Sequence, residues 1–178
     1  MLILGIDTSG KSGGVTLAEG DRHSFRVLGA APIEGGTFSA QLVPTVARLL
    51  EQNSLAPEAL DGFAVASGPG SFTGLRVGLS AVKGLAEILQ KPIATVSLLE
   101  ALAISANAQG KILTALDAGR SEIYFGLYEV ANGTANILKE QLLTRPEFLD
   151  QVHSESQPRR AIVTPDASIA QLSPAITA

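Results

Sequence analysis

The sequence predicts an α/β fold in which one βββ-containing unit is used twice, the second time incompletely. Three observations predict it. A short apolar strand passes through a glycine- and hydroxyl-rich loop into a long apolar helix at residues 62–89. Strand-like and amphipathic helical segments alternate through the first half. A strand ending in aspartate, followed by a hairpin, occurs both near the start of the chain and again from residue 111.

The elements follow in order. Residues 2–7 read as a buried strand, 9–14 as a turn and 15–19 as the hairpin partner. Gly20-Asp21 turns the chain into a third strand around 23–28. Leu42, Val46, Leu49 and Leu50 recur at helical spacing, so a helix spans 38–52. A strand at 62–66, a helix at 71–89, a short strand at 92–95 and a helix at 97–107 complete a β-β-β-α-β-α-β-α order over residues 1–109. Residues 111–117 then echo 1–7, and 123–129 echo 13–19, with Asp7 over Asp117 and Glu19 over Glu129 at one shared offset without a gap. Two unrelated hairpins have no reason to keep that register, so the unit is read as duplicated. The second copy, 110–178, continues with a strand near 136–141, a helix near 146–152 and a strand near 161–164, preceded by a loop at Gln157-Pro158-Arg159-Arg160. The chain ends before the remaining helices of the first copy recur. On this reading the second copy is degenerate, or the chain is a shortened version of something longer.

At 178 residues and 46% hydrophobic content the chain can build a substantial core, in one large domain or two small ones. A net charge of −4 and a pI near 5.2 are at odds with a broad basic surface, so RNA contact would require a local patch or a partner. The absence of cysteine rules out disulfides and thiolate metal sites. The two histidines, His23 and His153, lie far apart and read as ordinary surface residues rather than a metal centre. No apolar run approaches bilayer length, and the stretch before Asp7 is too short for a signal peptide; a cytoplasmic chain with no membrane contact is expected.

The segment Ser67-Gly68-Pro69-Gly70-Ser71-Phe72-Thr73-Gly74-Leu75-Arg76-Val77-Gly78 carries the most information. Pro69 fixes φ, while Gly68 and Gly70 admit positive φ and close backbone approach. Backbone N–H groups at a helix start can hold an anion. Asp7, Ser67, Gly68, Gly70 and Ser71 are therefore candidate nucleotide or anion contacts; the alternative is a tight strand-to-helix turn with Ser71 as N-cap. The phosphate-loop pattern G-x-x-x-x-G-K-[ST] is absent. In the helix that follows, Gly74, Gly78, Ala81 and Gly84 recur at spacings of three and four and collect on one face. Interior glycines cost about 1 kcal/mol each relative to alanine, so something approaches this backbone closely, either the protein's own sheet or a partner subunit. Leu75, Val77, Leu79, Val82, Leu85 and Leu89 make most of the remainder apolar, which suits deep burial or cover by another chain.

A duplicated hairpin with aspartate closing its first strand is the pattern of the actin-like superfold (ASKHA, ribonuclease H-like), shared by sugar kinases and heat-shock ATPases. With Gly5-Ile6-Asp7-Thr8-Ser9, the Ser67–Gly78 segment above and Ala115-Leu116-Asp117-Ala118-Gly119-Arg120-Ser121-Glu122-Ile123-Tyr124, the chain resembles the TsaB (YeaZ) family, also called glycoprotease-like M22 proteins, over about residues 1–128. The resemblance implies a non-catalytic scaffold that binds and activates a TsaD-like paralogue. That paralogue transfers a threonylcarbamoyl group to N6 of adenosine 37 in ANN-decoding tRNAs, using a metal held by histidines in a strand-to-helix segment. The segment falls here at Val96-Ser97-Leu98-Leu99-Glu100-Ala101-Leu102, where Ser97 and Leu102 replace the histidines, and leucine cannot ligate a metal. No catalytic residue and no metal of its own are expected.

The resemblance further implies docking through the first two helices, onto the paralogue or, for the chain alone, onto a second copy as a homodimer. The interface candidates are Gly74, Leu75, Val77, Gly78, Ala81, Val82 and Leu85, with Phe38 and Leu42 of the first helix. Phe38 departs from the polar start usual in the family. ATP and a TsaE-like ATPase would complete the assembly, with nucleotide at or near the heterodimer interface, no cofactor on the isolated chain, and tRNA reached only through the complex. In the superfold Asp7 faces phosphate or metal; its alternative here is a side-chain cap on the following turn. Asp117 and Arg120 take the matching corner of the second half, as an ion pair or a substrate contact. Arg76 suits a carboxylate across the interface or plain solvent, and Lys83 a snorkelling rim position. Glu100 has no neighbour to complete an acid pair. An independent ATPase lacks a second copy of the 67–74 loop, and a metalloprotease lacks H-E-x-x-H.

Overall fold

The computed structural model describes residues 1–21, 24–155 and 162–172. His23 and the expected loop at residues 157–160 lie outside the described residues. Two compact units divide the chain, Met1–Val96 and Ser97–Ala178.

The first unit is a five-stranded sheet in the order β3-β2-β1-β4-β5. Its strands are β1 (Leu2–Asp7), β2 (Ser12–Gly20), β3 (Phe25–Glu34), β4 (Gly62–Gly68) and β5 (Ile93–Ser97), with helices α1 (Phe38–Gln52) and α2 (Phe72–Leu89). β1 is antiparallel to β2 and parallel to β4. Alternation along β1 turns Leu2, Leu4 and Ile6 inward, where they meet Val15 and Leu17 of β2, Leu42, Val46 and Leu49 of α1, and Val82 and Ala86 of α2. A 3-10 turn at Pro57–Ala59, unmarked by any apolar period, leads into β4.

The second unit repeats the plan with the order β8-β7-β6-β9, from β6 (Gly110–Gly119), β7 (Glu122–Ala131), β8 (Thr134–Thr144) and β9 (Ile162–Val163). Helices α3 (Leu98–Ser105) and α4 (Arg145–Glu155) and the single turn α5 (Ala167–Ala170) cover it. One face packs Leu113, Ala115, Phe125 and Leu127 against Phe148 and Val152 of α4, with the Phe125 and Phe148 rings edge to face at 6.2 Å. The other packs Ile112, Tyr128 and Val130 against Leu99 and Ala103 of α3. That packing places α3 in the second unit, so the division falls before Ser97 and not after residue 109 as element order alone predicts.

The duplication holds in topology and in detail. Each third strand joins the sheet through a bulge, between Leu17 and Ala18 on β2 and between Leu127 and Tyr128 on β7, the same position under the shared offset. The pairing of the first two strands differs by one residue, however. β1 pairs Asp7 with Gly14, whereas β6 pairs Asp117 with Ile123, the counterpart of Gly13. The second hairpin closes through two residues, Arg120 (φ 52°) and Ser121 (φ 65°), and the first through a wider turn, so the first strands slip by one residue.

Candidate functional site

Two motifs singled out in the sequence meet in one joint of the first unit. β1 delivers Asp7, Thr8 and Ser9 to the sheet end at which β4 releases the chain into the glycine loop and α2. Gly68 takes the positive φ (+117°) that its lack of a side chain permits, and Gly70 does not. Ser71 caps α2, its hydroxyl accepting from the Gly74 amide at 3.2 Å, while its own amide donates to the Ser9 carbonyl at 2.6 Å. The Thr8 hydroxyl donates to the Gly74 carbonyl at 2.7 Å. Asp7 accepts from both the amide (2.8 Å) and the hydroxyl (2.6 Å) of Ser9. Asp117 repeats the first of these contacts, accepting from the Gly119 amide at 2.9 Å.

The five candidate anion contacts therefore divide. Asp7, Gly70 and Ser71 are brought together, and each is engaged with the 8–9 corner. Ser67 points elsewhere, its hydroxyl donating to the Val96 carbonyl at 3.1 Å. The start of α2 thus adopts the N-cap alternative, with the Ser71 and Gly74 amides already bonded within the protein.

The expected interface residues need correction. Phe38, Leu42, Gly74, Gly78 and Val82 are buried within the first unit. The glycine ridge of α2 faces β1: a Cβ on Gly74 would fall on the Thr8 carbonyl oxygen, and one on Gly78 on the Thr8 hydroxyl. The close approach implied by those glycines is made by the protein's own strand end. Val77, Ala81 and Leu85 are half-buried and pack on the same core, and Leu75 is half-buried beside Gly68. The outward arc of α2 carries Phe72, Arg76, Ser80, Lys83, Gly84, Glu87 and Ile88 instead. Phe72 and Ile88 are 73% and 80% exposed, and Val43 on the neighbouring α1 is 55% exposed. The Arg76 guanidinium lies 5.2 Å from the Phe72 ring centre, over its face. Phe72 and Ile88 are legible in the sequence as apolar positions outside the 74-78-82-86 row, a signal outweighed by the glycines.

In the second unit, Ser97 caps α3 by accepting from the Glu100 amide at 3.4 Å, and Leu102 sits half-buried in that helix. Tyr128 is buried and donates to the Glu140 carboxylate. Burial, reinforced by Glu140, pushes its phenol well above the usual range, while a hydrogen bond from Ser97 opposes this. Asp117 and Arg120 form no ion pair; the ion pairs among the described residues are Met1–Asp61 and Arg26–Glu19. The Asp117 amide donates instead to Asp166 at 2.8 Å, and Arg120 holds the turn. Among the described residues no cluster of three metal-ligating side chains forms, and no helix is long and apolar enough to cross a membrane.

Comparison with known proteins decides the family. A family model described as TsaD, tRNA N6-adenosine threonylcarbamoyltransferase, matches residues 33–171. The tRNA threonylcarbamoyladenosine biosynthesis protein TsaB of Bacillus subtilis is 34% identical over 89% of this chain and 69% of its own length. The chain belongs to the TsaB (YeaZ) family. YeaZ from Pseudomonas aeruginosa superposes with a TM-score of 0.69 at 33% identity, over 81% of this chain and 68% of that one. The Aquifex aeolicus PPX-GPPA enzyme shares the actin-like fold alone, at 12% identity and a TM-score of 0.50 over 92% of this chain and 67% of that one. The chain therefore spans about two thirds of the length of these relatives.

Proposed function

We propose that this chain serves tRNA threonylcarbamoyladenosine biosynthesis as a non-catalytic subunit that binds and activates a TsaD-type transferase acting on adenosine 37. The observation that carries the reading is the exposed apolar set Val43, Phe72 and Ile88 on two helices packed against each other in a chain 34% identical to a named TsaB. Phe72 and Ile88 stand at the two edges of the exposed arc of α2, about 24 Å apart along its axis, a spread that suits a broad partner surface. Arg76 and Lys83 on the same arc suit carboxylates of that partner. Support for a non-catalytic role comes from Ser97 and Leu102, since a capping hydroxyl and an aliphatic side chain stand where the transferase reading needs imidazoles. In this scheme ATP and metal reside in the partner complex, with a TsaE-like ATPase as third member. tRNA is reached only through the assembly, and the same helices pair two copies when the transferase is absent.

The test is reconstitution in the presence of ATP, threonine, bicarbonate and tRNA, with the enzyme that makes threonylcarbamoyl-adenylate. The chain alone should yield no modified adenosine, and adding it to the cognate transferase and TsaE-like ATPase should raise the yield at least tenfold (order of magnitude). Equal yield with and without the chain rejects the activator reading. Steady ATP turnover by the chain alone favours an independent ATPase.

A further inference from the structure

We propose that Asp7, Thr8 and Ser9 are positioning residues for α2, setting the register in which that helix offers Phe72, Arg76 and Ile88 to a partner; the proposal rests on the reading of that face given above. The corner formed by Thr8 and Ser9 is keyed into α2 in two ways. Polar bonds fix it: Ser9 accepts from the Ser71 amide at the helix start, and Thr8 donates to Gly74 one turn further on. Shape fixes it too, because Gly70, Gly74 and Gly78 present bare backbone where any side chain would collide. At Gly70 an added Cβ would lie 2.6 Å from the Ser9 carbonyl oxygen, and at Gly74 and Gly78 it would overlap Thr8.

Apolar contacts alone let a helix rotate or slide on a sheet at small cost, because they are non-directional. Two directional bonds a turn apart define both the axial position and the rotation of α2. Thr8 is 1% exposed, so solvent does not compete for its hydroxyl. Asp7 completes the device by holding Ser9 through two bonds that stiffen the corner before the helix meets it. A rotation of α2 by one residue, about 100° around its axis, would turn one edge of the outward arc toward the sheet, either Phe72 with Arg76 or Ile88 according to its sense.

The experiment compares the full chain with Thr8→Val, Thr8→Ser, Asp7→Ala and a control, Leu60→Val, whose buried side chain lies at the other end of β4. Affinity for the cognate TsaD-type transferase, amide hydrogen exchange in residues 72–78 and the melting temperature are measured for each. Thr8→Val is expected to weaken association about fivefold to tenfold and to speed exchange in residues 72–78 by a similar factor. Thr8→Ser, which keeps the donor, should restore both to within about twofold of wild type. Asp7→Ala should fall between them. Leu60→Val should lower the melting temperature without changing affinity. Wild-type affinity and exchange in Thr8→Val overturn the proposal, as does an equal affinity loss in Leu60→Val, which would make the effect one of stability. If wild type itself does not bind the transferase, the interface reading fails, and the exchange data still decide whether the corner holds α2.

Discussion

At the scale of single residues, polar groups distinguish the two halves of the chain more than apolar ones do. Thr8 sits buried just past the end of β1 and Thr114 buried in the middle of β6. Thr8 finds the Gly74 carbonyl, whereas the Thr114 hydroxyl has no partner among the described residues and lies beside Gly126. An unpaired buried hydroxyl costs about 1–3 kcal/mol. Thr114→Val, close to it in shape, is therefore expected to stabilise the second unit by about 1 kcal/mol in urea denaturation. Tyr128 supplies a pH signature. Its folded-state pKa is raised above the unfolded value of 10.0, so its contribution is fully present below pH 10 and is lost as pH rises beyond it. Between pH 9 and 12 the stability of wild type relative to Tyr128→Phe should decline. A constant difference would show that the phenol ionises alike in both states.

At the scale of elements, α2 carries two messages on opposite arcs. The buried row Gly74, Gly78, Val82 and Ala86 fixes the helix to its own sheet, and the exposed arc from Phe72 to Ile88 is free to face another molecule. Substitutions on the two arcs should separate cleanly. Phe72→Asp with Ile88→Asp should abolish association with the transferase while leaving the melting temperature within a few degrees of wild type. Gly78→Ala, by pushing a methyl onto the Thr8 hydroxyl, should instead destabilise the first unit by roughly 1–3 kcal/mol. Loss of stability from the double substitution and none from Gly78→Ala would reverse the assignment of the arcs.

At the scale of the whole molecule, two units of one design have been specialised differently. Among the described residues, the two-residue β9 takes the place of β4 and the four-residue turn α5 that of α2, while β5 belongs to the first sheet alone. Among the described residues only the first unit carries a glycine-loop helix with an exposed arc, so the proposed partner surface is assigned to it. Residues 1–96 expressed alone should retain the transferase affinity of the whole chain to within about tenfold, provided circular dichroism shows them folded. A folded fragment that does not bind would place part of the surface in the second unit.

The sequence by itself determined the order of strands and helices, the duplication and the family. Those follow from period, turn residues and motif spacing, which are local properties of the chain. α1 was read residue for residue, and Ser71 was legible as a cap because capping needs only neighbours in sequence. Tertiary structure alone decided which side of α2 its glycines serve. A bare backbone ridge records only that something comes close, and Thr8, distant in sequence, is what comes. The same holds for α3, which follows the first unit in sequence yet packs Leu99 and Ala103 with Ile112, Tyr128 and Val130 of the second sheet, because burial joins apolar side chains that lie apart in the chain.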